Sequence, residues 1–348
     1  MLYLSSNAPP SVRVEDEVWI LEGEPSLAPQ DLESLLLTAV PDAQYDRLRS
    51  GLAVDWTSDV DGVGRVRCTT FRDQRGPGGV LRMMPARAMS SERLGLSREV
   101  ESLVLQPGGL VLVAGPRLSG KGTIISALVA LINHRRRDHV ITIEGEIQVV
   151  HVPGTSIISQ REVRGGPDDF ERAARAALLE DPDVLVIESM QSPALIDIAL
   201  EGAASGRLVI GGLAARDAVS AVDRIINSSP AETTRRRVQC SLAEHLVGIV
   251  AQVLLHKTGG GRVAAREILL KTPAVASAIS EGRTSQLALA IDAGRRQGMQ
   301  PLNDDLVSLV QSGAVEASEA YRRAADRTGL LARLKRLGVD VTAIDPAG

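Results

Sequence analysis

The sequence predicts an α/β protein: a small N-terminal α/β domain, a core with a parallel sheet flanked by helices, and a helical C-terminal region. Three observations lead there. From about residue 107, short apolar runs of strand type alternate with helical stretches, the rhythm of a parallel sheet with crossover helices. A Gly-rich turn joins the first of those runs to its helix. Before residue 97 and after Thr272 that rhythm is missing, and different patterns take its place.

The boundaries read as 1–97 for the N-terminal domain, 98–106 for a linker, 107–272 for the core and 273–348 for the helical region. In the first segment "SVRVEDEVWIL", "GRVRCTTF" and "GGVLRMMP" alternate or run apolar like strands, while "APQDLESLLLTAV" has helical spacing. In the core, "LVLVA" is a buried-type strand. "GTIISALVALINHRRR" is a helix with basic residues in its last turn, where the helix dipole favours them. "HVITIEG" is the next strand, and "PDDFERAARAALLEDP" is a helix with acids at its start and a stop at Pro182. "DVLVIES" and "GRLVIGGL" are two further strands, and "RRAADRTGLLARLKRLG" reads as a charged, exposed end.

Composition narrows the function classes. With 348 residues, 44% apolar and 24% charged, the chain is long enough for a sizeable core and reads as an ordinary globular protein. A net charge of −4 and only 2% aromatics argue against nucleic acid as a partner, since backbone charge and base stacking drive such binding. Cys68 and Cys240 are too few for a disulfide framework, and the five histidines make no zinc spacing with them. No apolar run approaches the roughly 20 residues of a membrane span, so membrane insertion is not expected and a reduced, cytoplasmic setting is. The basic runs "HRRRDH" and "TTRRRVQ" read as a helix end and a solvated helix face, and His151 and His245 as structural or surface residues.

The chemistry-bearing motif is "GPRLSGKGT": Gly115, Pro116, Arg117, Leu118, Ser119, Gly120, Lys121, Gly122 and Thr123. It follows the phosphate-loop pattern G-x-x-x-x-G-K up to its last position, where a Ser or Thr hydroxyl would serve magnesium and Gly122 stands instead. Exposed backbone N–H groups and a helix N-terminus attract phosphate there, and Lys121 adds a point charge. Thr123 lies about 100° further round the helix, a poor substitute for the missing hydroxyl. Arg117 either supplies positive charge over the phosphates or points into solvent.

The chain resembles the PilT-like pilus retraction ATPases, relatives of the type II and type IV secretion ATPases. Ordered segments carry the resemblance: "RVRCTTFRDQRGPGGVLRMMP", "GGLVLVAGP", "ITIEGEIQVVH", "SQREV", "LLEDPDVLVIESM", "GRLVIGG" and "GGGRVAAREILLKTPAV". It implies a PAS-like N-terminal domain, a RecA-like P-loop ATPase core, and a hexameric ring that unloads pilin at the inner membrane. It also implies that Arg75 and Arg82 reach a neighbouring subunit's nucleotide, whereas Arg67 reads as part of a solvated strand face. Arg161, Glu162 and Arg175 match as well, Arg175 equally suiting a helix-face pair with Glu171 or Glu180.

Against that family pattern the site departs at four chemical positions. Gly122 replaces the loop hydroxyl. The acidic box keeps Glu144 but has Gly145 where a second carboxylate stands. The Walker B pair Gly-Glu becomes Glu188-Ser189, a carboxylate displaced by one position, which in a strand reverses its face. Ala214 replaces the histidine of the histidine box. A general acid, base or polarising group is worth ~10²–10⁴ in rate, so turnover is expected near background. In the segment Ala274 to Arg283, Ala276 and Ser277 replace an arginine and an asparagine, which counts against retraction itself. The family usually has a helical segment before its first strand, whereas this chain opens at "MLYLSS" inside it.

The expectation is therefore a ring-forming protein that binds ATP through an impaired magnesium site and acts as a structural or regulatory partner in a pilus or secretion machine. It would form a homo-hexamer or a hetero-ring with an active paralogue, peripheral to the inner membrane. The catalytic candidates are Glu144 and Glu188, and the metal candidates Thr123 and Glu188. An active retraction motor with unusual metal ligands is the alternative, and a RecA-type nucleic-acid translocase a distant third.

Overall fold

The structure, a computed structural model, describes residues 1–14, 17–229 and 231–340. Glu15 and Asp16 of the expected first strand, Pro230, and residues 341–348 of the expected helical end lie outside the described residues. The chain divides into two compact units, Met1–Arg87 and Ala88–Gly348.

The first unit runs β1 (Leu2–Ser5), β2 (Ser11–Val14), β3 (Glu17–Ile20), α1 (Pro29–Ala39), α2 (Asp42–Arg49), β4 (Asp55–Val60), β5 (Gly64–Asp73) and β6 (Gly76–Met83). Its six strands form an antiparallel sheet in the order β3-β2-β1-β6-β5-β4. The stretch read as one strand, "SVRVEDEVWIL", is a pair of antiparallel strands, Ser11 facing Ile20 and Val12 facing Trp19. Alternation along β5 buries Val66, Cys68 and Thr70, and Val66 and Cys68 pack with Val54 and Trp56. Leu32 and Leu36, one turn apart on α1, pack against Leu4, and Leu48 and Leu81 join that cluster to the first. Gly78 sits under the ring of Phe71, where any Cβ would lie 2.4 Å from a ring carbon.

The second unit runs α3 (Arg98–Leu103), β7 (Gly109–Ala114), α4 (Lys121–Arg135), β8 (His139–Glu144), β9 (Ile157–Glu162), α5 (Pro167–Leu178), β10 (Val184–Ile187), α6 (Pro193–Ala204), β11 (Leu208–Leu213), α7 (Ala218–Ile226), α8 (Glu232–His245), β12 (Leu246–His256), β13 (Arg262–Leu270), α9 (Pro273–Ser280), α10 (Leu287–Ala293), α11 (Leu302–Gln311), α12 (Ala317–Arg323) and α13 (Arg327–Arg336). Seven strands pair in the order β13-β12-β7-β11-β10-β8-β9. All neighbours are parallel except β12 and β13, which are antiparallel. The parallel sheet expected from the alternation is thus mixed. Gly259, Gly260 and Gly261, with φ of 92°, 98° and 80°, supply the left-handed turn that reverses the chain between β12 and β13.

The central strands β7, β10 and β11 are buried along their whole length, as continuous apolar runs dictate in a sheet covered on both faces. One face packs Leu112, Leu185 and Val209 under α6, α7 and α8; the other packs Val111, Val186 and Ile210 against Ile124, Leu128 and Ile132 of α4. Each such side chain contributes roughly 1.5–3 kcal/mol through burial.

Two further expectations change. The stretch 98–106, read as a linker, contains α3, which buries Val100 and Leu103 in the second unit because its apolar residues recur at helical spacing. The terminal segment read as exposed is α13, whose Leu330 and Leu334 are fully buried with Leu302 and Leu306 of α11. "HRRRDH" is the expected helix end: α4 stops at Arg135, and Arg136 pairs with Asp138 and donates to the Val104 and Gln106 carbonyls.

Candidate functional site: a phosphate loop with a displaced carboxylate

The loop Gly115–Gly120 lies between the end of β7 and the start of α4, at the carboxyl end of a strand flanked by β12 and β11. Ligands of open α/β sheets bind in such crevices. The loop's backbone needs its glycines. A Cβ on Gly115 would lie 2.2 Å from Ser119 Oγ, and Gly120 has φ 84°. Gly120 is also the N-cap of α4 and has no side chain to cap it, so the first-turn N–H groups face the crevice uncapped, the arrangement that accepts an anion. Leu118 takes φ 63° and is 73% exposed. Arg117 and Thr123 are exposed too.

Lys121 Nζ donates to the carbonyls of Gly115 and Pro116, 2.8 Å each. Burial lowers the pKa of this amine, and the nearby Glu188 carboxylate pulls it the other way.

Glu188 is where the structure decides an open question. β10 ends at Ile187, so Glu188 lies past the strand and its side chain is free of the strict alternation of faces. Its Oε2 accepts the Gly145 N–H at 2.8 Å, and its Oε1 lies 3.8 Å from the position a Cβ on Gly122 would take. The displaced carboxylate therefore stands beside both the loop and the acidic box. Burial raises its pKa, the Gly145 bond opposes that rise, and Glu144 and Glu146 add to it. Glu144 Oε1 accepts from Thr142 Oγ1 at 2.6 Å and from Gln160 Nε2 at 3.0 Å, and burial raises its pKa also.

The other positions divide. Ser189 Oγ accepts from Gln191 Nε2, and Ala214 is exposed with its carbonyl held by Arg224. Arg161 pairs with Glu180, and Glu162 pairs with Arg164 while accepting the Ile147 N–H. In the first unit, Arg67 is bound through two nitrogens to Asp55 rather than being simply solvated, because the strand register sets Asp55 diagonally beside it. Arg82 faces Arg67 across β5–β6, and Arg75 is exposed in the turn before β6.

The donor set bears on a magnesium ion. Among the described residues no three His, Cys, Asp or Glu side chains come together as a metal cage. A nucleotide-bound magnesium needs only one or two protein oxygens besides phosphate and water. Glu188 Oε1, 3.8 Å from where a Cβ on Gly122 would lie, is an oxygen of that kind beside the loop, while Thr123 is exposed.

Sequence reading missed Gln252 and Arg266. Gln252 Nε2 donates to the Ser119 carbonyl at 2.7 Å and its Oε1 accepts from Arg266 Nε at 2.8 Å. The available signal was a lone amide in the apolar run "LVGIVAQVLLH", since a buried amide must find partners.

A mixed seven-stranded α/β sheet with a glycine loop and lysine at the end of a central strand defines a phosphate-loop protein of the ATPase type. The profile of the family described as Type II/IV secretion system protein matches residues 63–322, and the chain belongs to that family. Within it the chain is PilT-like. It is 36% identical over 323 residues to the Type IV pilus retractation ATPase PilT of Pseudomonas aeruginosa, covering 93% of each chain. It is also 36% identical over 302 residues to a twitching motility protein of Neisseria gonorrhoeae, covering 86% of this chain and 80% of that one. The crystal structure of the pilus retraction motor PilT with bound ADP superposes with a TM-score of 0.85 at 33% identity, over 95% of this chain and 94% of that one. Among the described residues no helix is long and apolar enough to cross a membrane.

Proposed function

We propose that this protein binds ATP at the Gly115–Thr123 loop, hydrolyses it poorly, and serves as a structural or regulatory ring component of a type IV pilus or secretion machine. The observation that carries this reading is the placement of the carboxylates. Glu188 is bonded to Gly145 beside the loop, while the next position is Ser189 and the histidine position is Ala214. The loop N–H groups and Lys121 bind and orient phosphates. Glu188 Oε1 would hold a magnesium ion, whose chemistry is to neutralise charge on the phosphates. No carboxylate at 189 is available to orient an attacking water, and positioning of that water is much of what phosphoryl transfer requires.

In this reading the assembly is a homo-hexamer or a mixed ring with an active paralogue, cytoplasmic and peripheral to the inner membrane through its partners. Arg75 and Arg82 would act on a neighbouring subunit's nucleotide. The likeness to PilT over nearly the whole chain supports the ring.

A second reading, an active retraction motor, is favoured by one observation: Glu188 lies past the strand and beside the loop, so a carboxylate oxygen still stands near Gly122. Phosphate release by the purified chain, beside binding of a fluorescent ATP analogue, separates the two. Binding that Lys121→Ala abolishes, with release no greater than in that control, is the expected result. Release that disappears in Lys121→Ala establishes the motor reading, and no binding at all defeats both.

A further inference from the structure

Beneath the phosphate loop, Gln252 is 3% exposed and both ends of its amide are specified. The NH2 end donates to Ser119 O at 2.7 Å and would lie 2.8 Å from a Cβ on Gly120. The oxygen end accepts from Arg266 Nε, directly opposite in the β12–β13 register. A flipped amide would set its oxygen against the Ser119 carbonyl and its NH2 against a guanidinium, so both contacts would turn repulsive. Arg266 therefore fixes which end of Gln252 meets the loop.

The guanidinium is itself fixed. Its two other nitrogens donate to the carbonyls of Leu94 (2.6 Å) and Gly95 (3.1 Å), and the Arg266 backbone N–H donates to Asp305 Oδ2 at 2.8 Å. Leu94 and Gly95 belong to a turn in which the N–H groups of Leu94, Gly95 and Leu96 donate to Ser90, Glu92 and Ser91. That turn begins a few residues after Arg87, the last residue of the first unit.

We propose that Gln252 and Arg266 are positioning residues for nucleotide binding: they hold the Ser119–Gly120 corner in its phosphate-binding form and tie it to the Leu94–Leu96 turn. This rests on the loop being a nucleotide site. Bound nucleotide then tightens the turn, because three successive hydrogen bonds, Ser119 to Gln252 to Arg266 to Leu94, join them.

Gln252→Glu in the full chain keeps the volume and the Arg266 partner but replaces the donor facing Ser119 by an acceptor. A fluorescent ATP analogue is expected to bind this variant about tenfold or more weakly, the scale of losing a buried donor, with the melting temperature lowered by the acceptor–acceptor contact but the chain still folded through the Arg266 pair. Unchanged affinity in a parent chain that binds the analogue, with Lys121→Ala not binding, overturns this inference and leaves the nucleotide site intact. Failure of the parent chain to bind removes the nucleotide site and this inference with it. Amide exchange in the parent chain keeps the question decidable should the variant not fold. Nucleotide is expected to slow exchange at Leu94–Leu96 as well as in the loop, and slowing confined to the loop overturns the tie.

Discussion

Glu188 accepts the backbone N–H of Gly145 at 2.8 Å while its second oxygen lies 3.8 Å from the position a Cβ on Gly122 would take. The carboxylate thus bridges the acidic box and the first turn of the loop helix, one residue earlier in the chain than the family pattern sets it.

Restoring a hydroxyl beside that carboxylate is sterically open, since the nearest atom to a Cβ at 122 is Glu188 Oε1 at 3.8 Å. Gly122→Ser is expected to leave the melting temperature near its parent value and to raise nucleotide affinity about tenfold in magnesium but not in chelator. Glu188→Gln is expected to remove the magnesium dependence of the parent chain. Titrations with a fluorescent ATP analogue in both buffers read both effects, and a Gly122→Ser curve identical in the two buffers would refute the assignment.

His151 carries a pH dependence of known sign. Burial lowers its pKa from 6.5 to about 4. Between those values the unfolded chain binds a proton that the folded chain refuses, so its contribution is full above pH 6.5 and lost as pH falls through 4. The size is of order 3 kcal/mol. Half-buried Glu144, Glu188 and Glu267, with pKa values raised chiefly by desolvation, act oppositely: acidification relieves that cost. The difference between parent and His151→Asn urea melts isolates the histidine. That difference is expected to shift towards the variant as pH drops from 7 to 4; a constant difference would show that His151 does not titrate in this way.

Gly212 lies in β11, where a Cβ would come 1.8 Å from the Glu188 carbonyl oxygen. Backbone has to move to admit it, so Gly212→Ala is expected to cost about 2–3 kcal/mol in denaturant melts and to weaken nucleotide binding by displacing Glu188. A stable variant with parental affinity would mean that the strand end shifts without disturbing the site.

The two thiols should differ in rate. Cys240 is exposed, whereas Cys68 is 5% exposed and its thiol pKa is raised by burial and by Asp55. Only the thiolate reacts, so a chromogenic disulfide reagent is expected to titrate one thiol promptly in the native chain and both in denaturant. Prompt reaction of both would mean that the β4–β5 cluster opens readily.

Much of the core was legible because its information is local. "LVLVA", "DVLVIES" and "GRLVIGGL" are continuous apolar runs, and "GPRLSGKGT" fixes a strand-to-helix turn by its glycines and lysine. The position of Glu188 was not legible. It depends on β10 stopping at Ile187, and an apolar run does not say at which residue its ladder stops. The antiparallel β13 escaped the strand–helix rhythm because a three-glycine turn, not a helix, precedes it. Gln252 and Arg266 are ordinary residues until a register sets them opposite each other. The half-buried Glu267 is similar: it acquires its role by accepting the N–H groups of Ala218 and Leu302, far away in sequence.

Leu118 holds a left-handed backbone that costs a side-chain-bearing residue about 1–2 kcal/mol, while its side chain buries little in return. The loop is therefore a loaded spring at one residue. If the loop is the nucleotide site proposed above, relaxation of Leu118 towards ordinary φ would move the N–H groups it offers to phosphate, and a bound anion would oppose that relaxation. On that proposal, affinity for phosphate and the resting tension of the loop are two readings of the same backbone angle.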